Sequence, residues 1–165
     1  MVPYEIAGRS VTNIQVVYSN IPSAALAYNV VQAVPGIYSQ NLQGFGPGVI
    51  LNSNNVTVNG PNTPAAKGSE VVIYMTGEGV TIPSSTTGAV AGTPGNPANK
   101  PAQTVTATVG GLPATVVYAA SAPGIVYGVM QVNINIPANA PTGALPLVIN
   151  IGNTATQAGI TVAVQ

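Results

Sequence analysis

Glu5, Glu70 and Glu78 are the only acidic side chains of this sequence, and Arg9, Lys67 and Lys100 the only basic ones. Two carboxylates flanking one bond could hydrolyse a glycoside, but nothing in the spacing pairs these three. Glu78, in the turn Thr76-Gly-Glu-Gly79, reads like the other two as a solvated loop residue. Ser and Thr are plentiful, yet the chain has no His to activate them, and Lys67 and Lys100 sit among Pro and Ala rather than in a Ser-x-x-Lys setting. Cys is absent as well, so no thiolate nucleophile and no zinc or iron site of the usual kind is expected. With no Asp, oxygen-ligand calcium loops lose their main ligand. Gly44-Phe-Gly-Pro-Gly48 lacks the Lys-Ser/Thr and following helix of a phosphate loop. The expectation is a protein that is not an enzyme and carries no cofactor and no metal.

Two features could carry sugar. Asn55-Val-Thr57 is an N-glycosylation sequon in an Asn/Ser-rich segment expected to be a surface loop. The Ser/Thr/Pro-rich stretch 81–104 resembles an O-glycosylated segment, but reads better as a long connection stiffened by Pro. Carbohydrate binding usually needs aromatic platforms, and the chain has seven Tyr, one Phe and no Trp. Tyr18 and Tyr28 fall on inward positions of the strand pattern and are expected in the core.

The elements that would position these residues are strands. Val105, Ala107 and Val109 alternate with Thr, and Gly110-Gly111 then supplies a two-residue hairpin turn. Met130, Val132, Ile134 and Ile136 alternate with Gln and Asn; Leu145, Leu147, Ile149 and Ile151 repeat the pattern, and Ile160, Val162 and Val164 end the chain. No window carries a 3.6-residue apolar stripe with caps. Hydrophobic residues make up 46% of the 165, too many for a disordered chain, while no apolar run approaches the ~18 residues a membrane helix needs. The start, Met-Val-Pro-Tyr-Glu, lacks the basic and apolar regions of a signal peptide. This is an all-β chain of sandwich type.

An internal repeat organises it. Ile136-Pro137, Gly143, Ile149-Asn-Ile151 and Ile160-Thr-Val162-Ala-Val164 follow the order and spacing of Val2-Pro3, Gly8, Ile14-Gln-Val16 and Leu26-Ala-Tyr28-Asn-Val30. Residues 2–31 and 136–165 therefore read as one supersecondary piece used twice. The second copy is preceded by residues 65–135, which supply further strands; the first is preceded by Met1 alone. Two tandem units follow, an incomplete one at 1–62 and a complete one at 63–165. A lone hairpin with an apolar face is marginal in water. Something must cover Ile14, Val16, Leu26, Tyr28 and Val30: residues 34–60 folding back, the second unit, or strands of a neighbouring subunit.

Val2-Pro-Tyr-Glu-Ile-Ala-Gly8, Ala33-Val-Pro-Gly-Ile-Tyr38, Gly48-Val-Ile-Leu-Asn52, Asn62-Thr-Pro-Ala-Ala-Lys-Gly68, Tyr74-Met-Thr-Gly-Glu-Gly79 and Gly159-Ile-Thr-Val-Ala-Val164 occur in the order of one family. The chain resembles, nearly end to end, an uncharacterised C-terminal domain of large secreted bacterial proteins. The resemblance implies two tandem immunoglobulin-like units, the second similar to IPT/TIG modules. It also implies that more sequence ordinarily precedes the Val-Pro-Tyr motif and completes the first unit, which this chain departs from. It implies no enzymatic activity and carries over no functional residue.

Charged residues are only 4% of the chain and the net charge is zero, so basic patches that could neutralise nucleic-acid phosphates are missing. The self-repulsion that keeps domains apart is missing too. A subunit buried in an assembly would have few charges to desolvate. The expected function is that of a structural protomer of an extracellular or cell-surface fibre. Identical subunits would join head-to-tail, a neighbour's strand or β-face completing the groove of residues 11–31. Glycans are the other expected partner. The alternative is a C-terminal binding or anchoring module, carbohydrate-binding among its options, of a larger secreted protein.

Overall fold

The computed structural model describes residues 2–92 and 99–165. Apart from one 3-10 turn at Tyr4–Ile6, its regular elements are all strands. In chain order they are β1 (Val11–Ile14), β2 (Val17–Tyr18), β3 (Ile21–Pro22), β4 (Leu26–Asn29), β5 (Gly36–Ile37), β6 (Gly46–Pro47), β7 (Ile50–Asn52) and β8 (Glu70–Thr76). There follow β9 (Thr81–Ile82), β10 (Lys100–Pro101), β11 (Val105–Val109), β12 (Leu112–Ser121), β13 (Val129–Asn135), β14 (Gly143–Ile151), β15 (Thr154–Ala155) and β16 (Ile160–Val164). No described helix is long and apolar enough to cross a membrane.

One large sheet dominates. Its strands run β5-β8-β13-β12-β11-β14-β16-β6, with β7 also on β8 and β15 on β14, and every pairing is antiparallel except β16 with β6. The alternation seen in the sequence sets which way each side chain points. Along β13, Met130, Val132 and Ile134 are fully buried between half-exposed neighbours. The sheet curls until these residues, with Val71, Ile73 and Met75 of β8, share one core with Leu147, Ile149 and Ile151 of β14 and Ile160, Val162 and Val164 of β16. An all-β body of this kind, apolar inside and sparsely charged outside, is consistent with a β-sandwich. Gly110 and Gly111 both take positive φ (59° and 80°), the mirror-image turn that joins β11 to β12 without splaying them.

Residues 34–60 belong to this sheet. β5 and β7 pair with β8 and β6 pairs with β16, so hydrogen bonding crosses the sequence division drawn at 62/63. Two side chains stand in for missing strand partners there. Gln157 accepts from the Ile37 N–H at 2.9 Å and donates to the Ile37 carbonyl at 2.6 Å. Buried Asn59 does the same to Ala163, at 2.7 and 2.9 Å.

The stretch 81–104 is partly regular: β9 and β10 pair across it. Its middle, 93–98, lies outside the described residues.

Candidate functional site

The first hairpin stands apart. β1 pairs only with β4, and β2 only with β3, in two small sheets separate from the large one. Its turn, Ser19-Asn20, has positive φ at both residues (48° and 63°), the same mirror-image geometry as Gly110-Gly111.

A similar hairpin occurs twice in space, in a register different from the one the sequence suggested. β14 and β16 are paired antiparallel, as β1 and β4 are, and each pair ends in a further turned-back arm: β14 with β15, β2 with β3. In one copy the Val16 N–H donates to Ser23 Oγ at 3.1 Å and the Ser23 N–H to the Val16 carbonyl at 2.8 Å. In the other the Ile149 N–H donates to Thr156 Oγ1 at 3.1 Å and the Thr156 N–H to the Ile149 carbonyl at 2.9 Å. Superposing these bonds matches Ile14, Val16 and Tyr18 to Leu147, Ile149 and Ile151, which corrects by two residues the sequence pairing of Ile14 and Val16 with Ile149 and Ile151: the bonds that close the turned-back arms, not the apolar spacing, fix the register.

The two copies differ in what covers them. Ile149 is fully buried; Val16 is 65% exposed. Ile14, Leu26 and Tyr28, three more residues expected on the groove, are exposed as well, and Val30 is half-buried. The core positions expected for Tyr18 and Tyr28 are therefore corrected: Tyr18 is the more exposed of the two, at 80%, because no second sheet among the described residues covers this hairpin. Of the three coverings open to the sequence, residues 34–60 are spent on β8 and β16 instead.

The hairpin is anchored to the body at its base. Tyr4 Oη donates to Glu78 Oε1 at 2.6 Å, and the Tyr4 N–H donates to Thr87 Oγ1, which donates in turn to Glu5 Oε2 at 2.7 Å. Glu78 is not the solvated loop residue its turn suggested. It is buried, and Ser121 Oγ reaches both its oxygens at 3.0 Å. Burial pushes its carboxyl above the usual range, against the hydrogen bonds from Tyr4 and Ser121 that favour the charged form. Burial and the Glu78 carboxylate together push the Tyr4 phenol well up. The signal for this burial was present in Gly77 and Gly79, the residues on either side. A Cβ on either would lie 1.8 Å from the Val34 carbonyl oxygen or 2.0 Å from that of Gln32, so only Gly admits the chain that crosses there. A cleft of about 590 Å³ opens beside the anchor, walled by Val2, Tyr4, Val31, Val34, Val80 and Tyr127 among others.

Asn55 sits at the tip of the loop after β7, exposed, with φ 58°. Asn54 Oδ1 shapes the tip by accepting from the Val56 and Thr57 N–H groups at 3.0 and 2.8 Å. The sequon is thus presented on a tight surface turn. Of the other acids, Glu5 is exposed beside Thr87 and Glu70 accepts from Asn133 Nδ2 at 2.8 Å on the sheet surface. The three carboxylates do not converge. Comparison with protein-family models, with curated proteins and with solved structures finds no match for this chain.

Proposed function

We propose that this chain is a structural protomer of an extracellular fibre or pilus-like filament, built of identical subunits joined head-to-tail. In this reading the body and the first hairpin are two immunoglobulin-like units of the family it resembles, the first completed by a neighbour's strand or β-face. One observation carries the proposal: the same hairpin occurs twice, buried in the body and bare at residues 11–29.

Covering side chains of the size of Ile14, Val16, Tyr18 and Leu26 is worth roughly 1.5–3 kcal/mol each before ordering costs. No charge lies between Val11 and Val31, so an incoming surface strips water from no ion there. A contact between the hairpin of one copy and the body of the next joins two different surfaces, so it is heterologous and propagates unless it closes.

Electron microscopy beside light scattering on the purified chain tests this. Filaments with a fixed subunit repeat are the expected result, and a stable ~16 kDa monomer overturns it. The cleft beside Tyr4 and Glu78 favours a second reading, that of a C-terminal binding or anchoring module. A monomer that binds sugars or apolar small molecules there would support it.

A further inference from the structure

The repeat says more than that the hairpin is bare, because the buried copy displays the partner that the bare copy lacks. Along β14 lies β11, antiparallel, with Val105, Ala107 and Val109 opposite Ile151, Ile149 and Leu147, and with Thr106 and Thr108 opposite Asn150 and Val148. The Gly110 N–H donates to the Pro146 carbonyl and the Gly152 N–H to the Thr104 carbonyl. Even-numbered residues of β14 therefore aim their backbone groups at β11, and odd-numbered ones at β15 and β16.

The first hairpin has the matching parity. The Val30 N–H donates to the Ser10 carbonyl, which makes Thr12 with Tyr28 and Ile14 with Leu26 the hydrogen-bonded pairs of β1 and β4. Val11, Asn13, Gln15 and Val17 then present their N–H and C=O groups on the outer edge, where no described strand pairs with them. Under the superposition set by Val16/Ser23 and Ile149/Thr156, Asn13, Gln15 and Val17 fall on Pro146, Val148 and Asn150, the residues that bind β11.

We propose, on the footing of the filament reading, that a strand of a second copy of this chain pairs antiparallel with the outer edge of residues 11–17, in the register β11 holds on β14. Its apolar residues lie opposite Ile14, Val16 and Tyr18, and uncharged polar ones lie opposite Gln15 and Val17. The partner's chemistry is that of this chain. The edge and face carry no charge with which to select a charged foreign segment, and the complement that the equivalent edge of β14 displays is the chain's own Val/Thr strand. The donor is a strand of the neighbour's body rather than its hairpin. Hairpins stacked side by side would repeat every ~10 Å, two strand spacings, too short an interval for bodies with a radius of gyration of about 15 Å to stack in a straight line.

Hydrogen exchange on the unmodified chain, as monomer and as filament, reads this edge residue by residue. The amides of Val11, Asn13, Gln15 and Val17 should exchange at least tenfold more slowly in the filament, while those of Thr12 and Ile14, already bonded to β4, change less. Asn13→Pro removes one outward donor without touching the β1–β4 bonds, and should leave a folded chain that forms no filaments. Filaments in which the odd-numbered amides stay fast, or filaments of normal yield from Asn13→Pro, would overturn the edge register and leave the filament reading standing. A wild-type chain that stays monomeric removes the filament reading and this proposal together. A discrete dimer, formed by two such edges pairing about a two-fold axis, also overturns it.

Discussion

Ser23 and Thr156 make the same hydrogen bond in two copies of one hairpin, each hydroxyl accepting at 3.1 Å from a backbone N–H across the turn, Val16 for one and Ile149 for the other. Thr156 does so in the interior and Ser23 in water. One bond in two solvents separates the chemistry of the hairpin from the effect of covering it.

Thr156→Ala and Ser23→Ala should accordingly differ. The first strands the Ile149 N–H in the core and should cost about 1–3 kcal/mol, read as a lower urea midpoint. The second exposes the Val16 N–H to water, and in the monomer should cost less than about 0.5 kcal/mol. If the hairpin is buried in a filament, Ser23→Ala should raise the critical concentration for assembly several-fold while the monomer's midpoint stays put. Equal costs for the two in the monomer would mean that the first hairpin is already shielded within the chain.

Val16→Glu and Tyr28→Glu test the face itself. Either carboxylate is harmless on a bare hairpin and several kcal/mol unfavourable once buried unpaired. Both variants should keep the wild-type midpoint, because the body core lacks these residues, and both should abolish assembly. Normal filaments from both would mean that this face is not the one covered.

The body was legible because alternation is a strong local signal: Met130, Val132 and Ile134, and Leu147, Ile149 and Ile151, were readable as inward positions and are buried. The existence of a repeated hairpin was legible for the same reason, but a period of two leaves its register open, and the bonds of Ser23 and Thr156 set it two residues away from the spacing match. Long-range partners were not. Nothing local says that β5 and β7 pair with β8 rather than the first hairpin, or that Gln157 bonds Ile37 and Asn59 bonds Ala163 across 120 and 104 residues. Tyr18 follows the inward pattern but has no opposing sheet, so pattern alone overstates its burial. Glu78 misled for the opposite reason: Thr76-Gly-Glu-Gly79 has the composition of a solvated turn, and only the tertiary crossing of residues 32–34 buries it.

Gly77→Ala and Gly79→Ala should therefore be among the most damaging small substitutions in the chain. Both glycines have positive φ, 82° and 71°, and a methyl on either meets the backbone of residues 32–34 rather than a movable side chain. Strain and collision together should cost roughly 2–4 kcal/mol. Gly111→Ala, with positive φ but open space around it, is the control and should cost about 1 kcal/mol. A difference of less than a few tenths of a kcal/mol between the two classes would show that the crossing yields easily.

Asn55 offers a test that leaves the fold alone. Expressed in a host that glycosylates Asn-x-Thr, the chain should gain the mass of one glycan, and Asn55→Gln should remove it at a cost of less than about 1 kcal/mol in stability, because the residue is exposed but its φ of 58° suits Asn better than Gln. Retention of the extra mass in Asn55→Gln would place the sugar elsewhere, with the Ser/Thr-rich stretch 81–104 the next segment to map.

The Tyr4–Glu78 bond predicts how stability varies with pH. Burial raises the Glu78 carboxyl above its unfolded value, so between the two values the folded chain holds a proton that the unfolded chain has released. Stability therefore falls as pH rises through that interval, by at most about 1.4 kcal/mol per pH unit, and levels off above it. Glu5, held below its ordinary value by Thr87, acts in the opposite sense, losing its contribution as pH falls; it is exposed, and water screens it. With no His and no Cys, no other side chain of the sequence ordinarily titrates between the carboxylates and the Tyr and Lys range. Above pH 10 the Tyr4 phenol, held neutral in the folded chain, adds a second loss in the same direction. Urea midpoints from pH 4.5 to 8 should thus decline for the wild type and stay level for Glu78→Gln. Tyr4→Phe removes a donor to the carboxylate, raising the Glu78 value further and carrying the decline to higher pH. A wild-type midpoint that climbs across this range would show Glu78 to be better solvated than its burial indicates.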